Sequence, residues 1–524
     1  MERADVPSAT YRIQLNAAFG FRAARAVVPY LHRLGISHLY CSPVTMARPG
    51  STHGYDVVDP TRLNPELGSE EDFADLVDIL HAHDMGMILD IVPNHMAASP
   101  DNPWWNDVLE SGPNSPYAAF FDIEWHSPLS YSVPENRVLL PILGAPYGEV
   151  LENGDLRIEY DAGGLFARYY ETRLPLALPS YARVLRAGLD QLRAQAEPGD
   201  PGLRELEEIL TEIDLLPSSI LDSLEQRRDL QQVRLRIKRR LDALATTHSM
   251  IADHIARAVA TVNGTPGEAA SFDILDQILS EQAYRLSDWK LARERINYRR
   301  FFDINDLVSL NVHLPDVFRE THQMIIDRLR RGQVDGLRID HIDGLHDPIG
   351  YLEQLQHTAS ETEQGPTEDD PERDGTYVVV EKILAGDEEL RDTWPVNGTT
   401  GYDFISVVEQ ISVNPARRPV IDRLYQAISG EQRTFTDVAY QSKIQVMRDL
   451  FPGNIRSLAV RLDKLAERHR YGRDITLEDL ERAIIETTAC LPIYRTYIRD
   501  FSVEEEDRRW ILAAIAEARE RRPE

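Results

Sequence analysis

Three short apolar runs, each closing on a charged or polar cluster, constrain this chain most: ILDIVPNH over residues 88–95, DGLRIDH over 335–341 and YVVVEK over 377–382. Runs of Val, Ile and Leu this short, bounded by polar residues, read as strands buried on both faces, the habit of parallel sheets covered by helices. Amphipathic stretches lie between them. Residues 10–15 and 38–42 read as two earlier strands, 23–34 and 69–83 as helices, and a possible sixth strand lies near 402–405. The expected fold is α/β, an incomplete TIM-type (β/α) barrel of about six strands with a loop-rich insertion and helical insertions. Active sites of such barrels are assembled at the C-terminal ends of the strands, where these clusters stand.

The 524 residues suggest about three domain-sized units. Residues 1–103 carry strands one to three, 104–173 form a loop-rich insertion, and 174–296 a helical insertion with apolar residues three and four apart at Leu230, Val233, Ile237, Leu241 and Leu244. Residues 297–406 supply strands four to six and 407–524 a C-terminal helical region; the acidic stretch 365–374 reads as a mobile loop. With 86 acidic against 57 basic residues and a formal net charge of −29, the surface repels phosphate backbones and anionic lipid, so neither nucleic acid nor membrane is an expected partner. Cys41 and Cys490 form no metal-binding or redox spacing, and a reducing cytoplasm is the expected location.

Period-two geometry turns Arg338 and Asp340 to the same face of their strand. A neighbouring guanidinium favours the ionised form of Asp340, which predicts a lowered pKa and the role of nucleophile. Glu381 follows three valines, and an apolar setting raises its pKa towards that of a proton donor. Two inward acids on neighbouring strands suit glycosidic chemistry; a retaining double displacement needs them about 5–5.5 Å apart. His95 and His341, directly after two of the strands, and the ring of Tyr55 are candidate sugar contacts. Trp104, Trp105, Tyr147 and Tyr298 offer further faces, although many aromatics are core.

DIVPNH, GLRIDH and the glutamate of VVVEKIL resemble, in order, three of the four signature regions of the α-amylase superfamily of glycoside hydrolases and transglycosidases. Within it the chain resembles the maltooligosyltrehalose synthase family through ATYRIQLNAAFGF, YCSPV, GSTHGYDVVDP, LPILGAPYGEVL, INYRRFFDINDL, GTTGYDF and LPIYRTYI. That resemblance implies intramolecular transglucosylation, converting the reducing-end α-1,4 bond of a maltooligosaccharide into an α,α-1,1 bond for a separate trehalohydrolase to cleave. It implies Asp340 as nucleophile, Glu381 as acid/base, and Tyr55, Asp90, Asn94, His95 and Arg338 as substrate-binding residues, to which His341 is added. Residues 104–170 become the expected wall around the freed glucose. No cofactor is expected. Asn94 matches a calcium ligand of some amylases, but no acidic cluster accompanies it and no metal is expected.

The sequence departs from the superfamily in its fourth region, a His-Asp pair on the seventh strand. After Glu381 the one histidine is His469, followed by Arg470, while His83–Asp84 and His346–Asp347 precede the right strand. Strands seven and eight and a β-rich C-terminal domain are not found. The chain alone is therefore expected to be weak or inactive unless a second chain supplies the missing strands. A hydrolase sharing the same residues and a non-catalytic α-glucan-binding fragment are the alternatives.

Overall fold

The computed structural model describes residues 6–126, 135–360, 375–499 and 501–523, so the loop expected at 365–374 lies outside the described residues. The chain divides into two compact units, Met1–Ala97 with Ser309–Glu524, and Ala98–Val308.

The first unit is built on a six-stranded sheet of β1 (Thr10–Ile13), β2 (His38–Cys41), β3 (Gly86–Ile91), β4 (Gly336–Ile339), β5 (Tyr377–Val380) and β6 (Gly398–Thr399), in that spatial order. Every adjacent pair is parallel. This is an incomplete (β/α) barrel, with β1 and β6 at its two edges. Leu89, Leu337, Ile339, Val378 and Val380 are wholly buried, as central strands covered on both faces require. Helices return the chain between strands. Glu70–His81 starts on a capping box in which Ser69 and Asp72 satisfy each other's backbone N–H, and Phe21–Leu34 stops at Gly35 with φ 89°.

The sixth strand is not where the sequence placed it. β6 is only two residues long, too short for a period-two pattern, and Tyr402–Ile411 is a helix. Gly401, with φ 90°, makes the turn into that helix. Tyr402–Ile411 and Arg418–Ser429 bury no residue and expose Ile411 and Ile428 at 82% and 78%. The later helices Phe435–Asp449, Pro452–Ala466 and Leu477–Cys490 share a small core of Met447, Ile455 and Ala489.

The second unit is more regular than its Pro- and Gly-rich sequence suggested. An antiparallel sheet of Leu156–Asp161, Gly164–Tyr169 and Thr172–Pro175 turns through Ala162 and Gly163, both at positive φ. Val138–Leu143 pairs in parallel with Tyr284–Asp288. Of the helices, Leu224–Thr247 packs Ile237, Leu241 and Leu244 inwards and holds a buried ion pair from Arg234 to Asp107 at 2.9 Å. Trp105 is 1% exposed and meets Phe121 and Tyr298 edge to face, so Trp105 and Tyr298 are core.

Candidate active site

Strand register creates the site. β3 and β4 align Asp90 with Arg338, and β4 and β5 align Arg338 with Val379, so that Glu381 follows two residues later, its N–H bonded to the Ile339 carbonyl. All three signature acids then meet one guanidinium. Arg338 Nη1 lies 2.7 Å from Asp90 Oδ1 and 2.6 Å from Asp340 Oδ1, and Nη2 lies 3.3 Å from Glu381 Oε2. The exposure of the side chains grades with position. Asp90 is fully enclosed, Asp340 is 9% exposed and Glu381 29%.

Asp90 is an anchor. Its carboxylate accepts from Arg338 and, through Oδ2, from Tyr55 at 2.6 Å, Tyr40 at 3.1 Å and Arg12 at 3.2 Å. Arg12 also donates to the Tyr55 hydroxyl at 2.9 Å. β1 and β2 align Arg12 with Tyr40, which sets its guanidinium 4.7 Å from the Tyr40 ring centre. Tyr55 is half-buried and stacks on His53. Burial beside Asp90 raises both tyrosine hydroxyls, which remain donors at neutral pH.

The expected pKa of Asp340 is overturned. Burial pushes its carboxyl up to about 7; Arg338 opposes the rise, and the charges of Asp90 and Glu381 add to it. The sequence showed a cation beside Asp340 but not that three carboxylates share it. With Arg12 on Asp90, two cations face the three carboxylates.

Two further groups meet Glu381. His341, at φ 48°, is held in the left-handed region and donates its backbone N–H to Glu381 Oε2 at 2.8 Å. Tyr402 lies near the same carboxylate, and burial, with that charge, raises its hydroxyl. His95 is buried to 1% exposure, and burial, with His341 nearby, pushes it down to about 3, so it is a neutral imidazole at physiological pH. Asn94 is 2% exposed, with its amide nitrogen 3.4 Å from His95 Nδ1. Among the described residues no group of three or more His, Cys, Asp or Glu is arranged to hold a metal ion. Every sequence-singled site residue thus belongs to the first unit. Arg12, Tyr40 and Tyr402 were missed; Arg12 sits in the ATYRIQL motif and Tyr402 in GTTGYDF, the signals that were available.

Residues 26–139 match the family model described as alpha amylase, catalytic domain. A putative maltooligosyl trehalose synthase of Mycobacterium tuberculosis H37Rv is 30% identical over 456 residues, covering 86% of this chain and 44% of that protein. The structure of maltooligosyltrehalose synthase from Arthrobacter ramosus superposes with a TM-score of 0.69 at 30% identity, over 99% of this chain and 51% of that one. A hypothetical maltooligosyl trehalose synthase of Sulfolobus tokodaii gives 0.63 at 27% identity, over 98% and 52%. The chain spans about half the length of the relatives it matches, and over that half it is similar in sequence and fold to maltooligosyltrehalose synthases of the α-amylase superfamily.

Proposed function

We propose that this chain carries the catalytic carboxylates of an intramolecular transglucosylation that turns the reducing-end α-1,4 linkage of a maltooligosaccharide into an α,α-1,1 linkage. The observation that carries the reading is the single Arg338 guanidinium bound by Asp90, Asp340 and Glu381 at the ends of adjacent parallel strands. Asp340 attacks the anomeric carbon; the glycosidic electron pair leaves with the reducing-end glucose, whose oxygen takes the proton of Glu381. Glu381, now a carboxylate, removes the proton from the anomeric hydroxyl of the freed glucose. That oxygen attacks the same carbon and displaces Asp340, and two inversions give net retention.

The grading of exposure supports this cycle. Asp340 is nearly enclosed against Arg338, and Glu381, the most exposed of the three carboxylates, is the one placed to meet a departing oxygen. Tyr55, Asn94, His95 and His341 serve as sugar contacts, with His95 neutral and able both to donate and to accept. Arg338 and Asp90 hold the carboxylates in place. The freed glucose must react faster than water does, which requires a closed acceptor pocket; effective molarities of roughly 10⁵ M or more are reached when reactants are so held.

We propose, further, that a second polypeptide or protein segment completes the barrel against β1, β6 and the exposed apolar faces of Tyr402–Ile411 and Arg418–Ser429, and that a trehalohydrolase consumes the product in the cytoplasm. Maltopentaose distinguishes the readings. Loss of reducing ends without release of glucose supports the transglucosylase, and is expected to be lost in Asp340→Asn. Equal release of glucose assigns a hydrolase; glucan binding without either reaction assigns a binding module.

A further inference from the structure

We infer that the buried Lys382–Asp343 ion pair, clamped by Tyr497, is a positioning device that fixes the separation of Asp340 and Glu381. The inference rests on reading those two carboxylates as the catalytic pair. Asp343 follows Asp340 by three residues, in the short 3-10 turn Ile342–Gly344, and Lys382 directly follows Glu381. Lys382 Nζ lies 3.3 Å from Asp343 Oδ2 and 2.7 Å from Glu388 Oε1, with only 2% of its side chain exposed. The bridge therefore joins the segments that leave the two catalytic strands.

A strap from the C-terminal region closes over it. The Tyr497 hydroxyl bonds Asp343 Oδ1, and Arg495 Nη1 donates to the carbonyls of Asp343 at 2.9 Å and Leu345 at 2.6 Å. Tyr497 is held in turn. Its N–H donates to the wholly buried Asp507 at 3.0 Å, its ring meets Trp394 edge to face at 5.0 Å, and the cations of Arg391, Arg495 and Lys382 lie 4.8, 5.3 and 5.7 Å from the ring centre. Lys382 faces Asp343 and Glu388, while Arg391 faces Asp507 and, further out, Glu504 and Glu506. Burial and Asp343 raise the Tyr497 hydroxyl, keeping it a donor.

The turn has no slack on its other side. A Cβ at Gly344 would clash with the His341 ring and lie 2.6 Å from Asn94 Oδ1. His341, inside this brace, is the residue held at φ 48° with its N–H on Glu381. A buried ion pair gives no dependable stability over an apolar pair of the same shape, because desolvation offsets the attraction. Its distinguishing property is directional: it fixes two backbone segments at one spacing.

Tyr497→Phe keeps the ring and its cation contacts and removes only the hydroxyl, and Lys382→Arg keeps the charge and alters the reach. Using maltopentaose and the full chain in whatever assembly is active, Tyr497→Phe is expected to lower kcat 10- to 100-fold with KM within twofold, to move the acidic limb of the kcat profile, and to shift the thermal midpoint little. Lys382→Arg should restore part of the kcat that Lys382→Met loses. A readout independent of turnover is the thermal gain that Asp340→Asn gives at pH 8, which should fall by half or more in a Tyr497→Phe background, because a loosened turn admits water to the carboxyl. A gain unchanged by Tyr497→Phe, with kcat also unchanged, overturns the inference. A gain that collapses while no form of the protein turns over glucan sustains the positioning role and overturns the catalytic reading instead.

Discussion

Replacing Asp340 by Asn should make the protein more stable at alkaline pH while removing the chemistry. A buried carboxyl that rises from 3.8 to about 7 binds its proton more tightly in the native state than in the unfolded state. Between these values stability therefore falls as pH rises, and above pH 7 the ionised group costs a limiting ~4 kcal/mol, at about 1.4 kcal/mol per tenfold change in proton affinity. Asn copies the neutral acid in shape. Its amide nitrogen cannot accept as the carboxyl oxygen does, so about half of that limit, ~2 kcal/mol, is the expected gain, or roughly 4 °C in the midpoint at about 2 °C per kcal/mol for a large unit. Thermal unfolding at pH 8, 6 and 4.5 should show the gain shrinking as the pH falls and reversing sign at about pH 5.5, where the neutral acid makes the contact that Asn lacks. An Asp340→Asn protein that is less stable at pH 8, or a gap that does not change with pH, refutes the claim that the carboxyl is held against its own ionisation.

Other predictions concern packing, acid sensitivity and the exposed helices. His322 is buried, stacked on Phe318 and 2.8 Å from the Tyr351 hydroxyl, and burial pushes it down to about 4. Its native form binds fewer protons than the unfolded chain, so its contribution is lost as pH falls from about 6.5 to 4, and His322→Gln should flatten the stability profile in that window. Trp105→Ala in the second unit should cost about 3–5 kcal/mol by urea titration, the penalty for a buried aromatic cavity. Ile411→Glu with Ile428→Glu should reduce self-association in light scattering without lowering the thermal midpoint, because neither side chain is buried. Unchanged scattering would show that the two helices are not where the molecule sticks to itself.

The catalytic candidates were legible because strand geometry is local. Alternation along GLRIDH placed Arg338 and Asp340 together, and an acid after three valines placed Glu381 at a strand end. What escaped required partners distant in sequence. From its neighbour Arg338 alone Asp340 reads as a stabilised anion, whereas Asp90 and Glu381 share the same guanidinium, and the role of Arg12 depends on the alignment of β1 with Tyr40. The sixth strand escaped for a different reason. Two residues hold no period, and the apolar run after Gly401 has helical spacing. The Tyr497 strap joins residues more than 100 positions apart, beyond any local pattern.

The most direct test of the shared site is to trap its covalent intermediate. An activated 5-fluoro-α-glucosyl fluoride needs no acid to depart and leaves a slow glycosyl enzyme, which peptide mass mapping locates. The account predicts one adduct, on Asp340, that persists in Glu381→Gln and disappears in Asp340→Asn. An adduct on Asp90 or Glu381, or none on any residue, would contradict it.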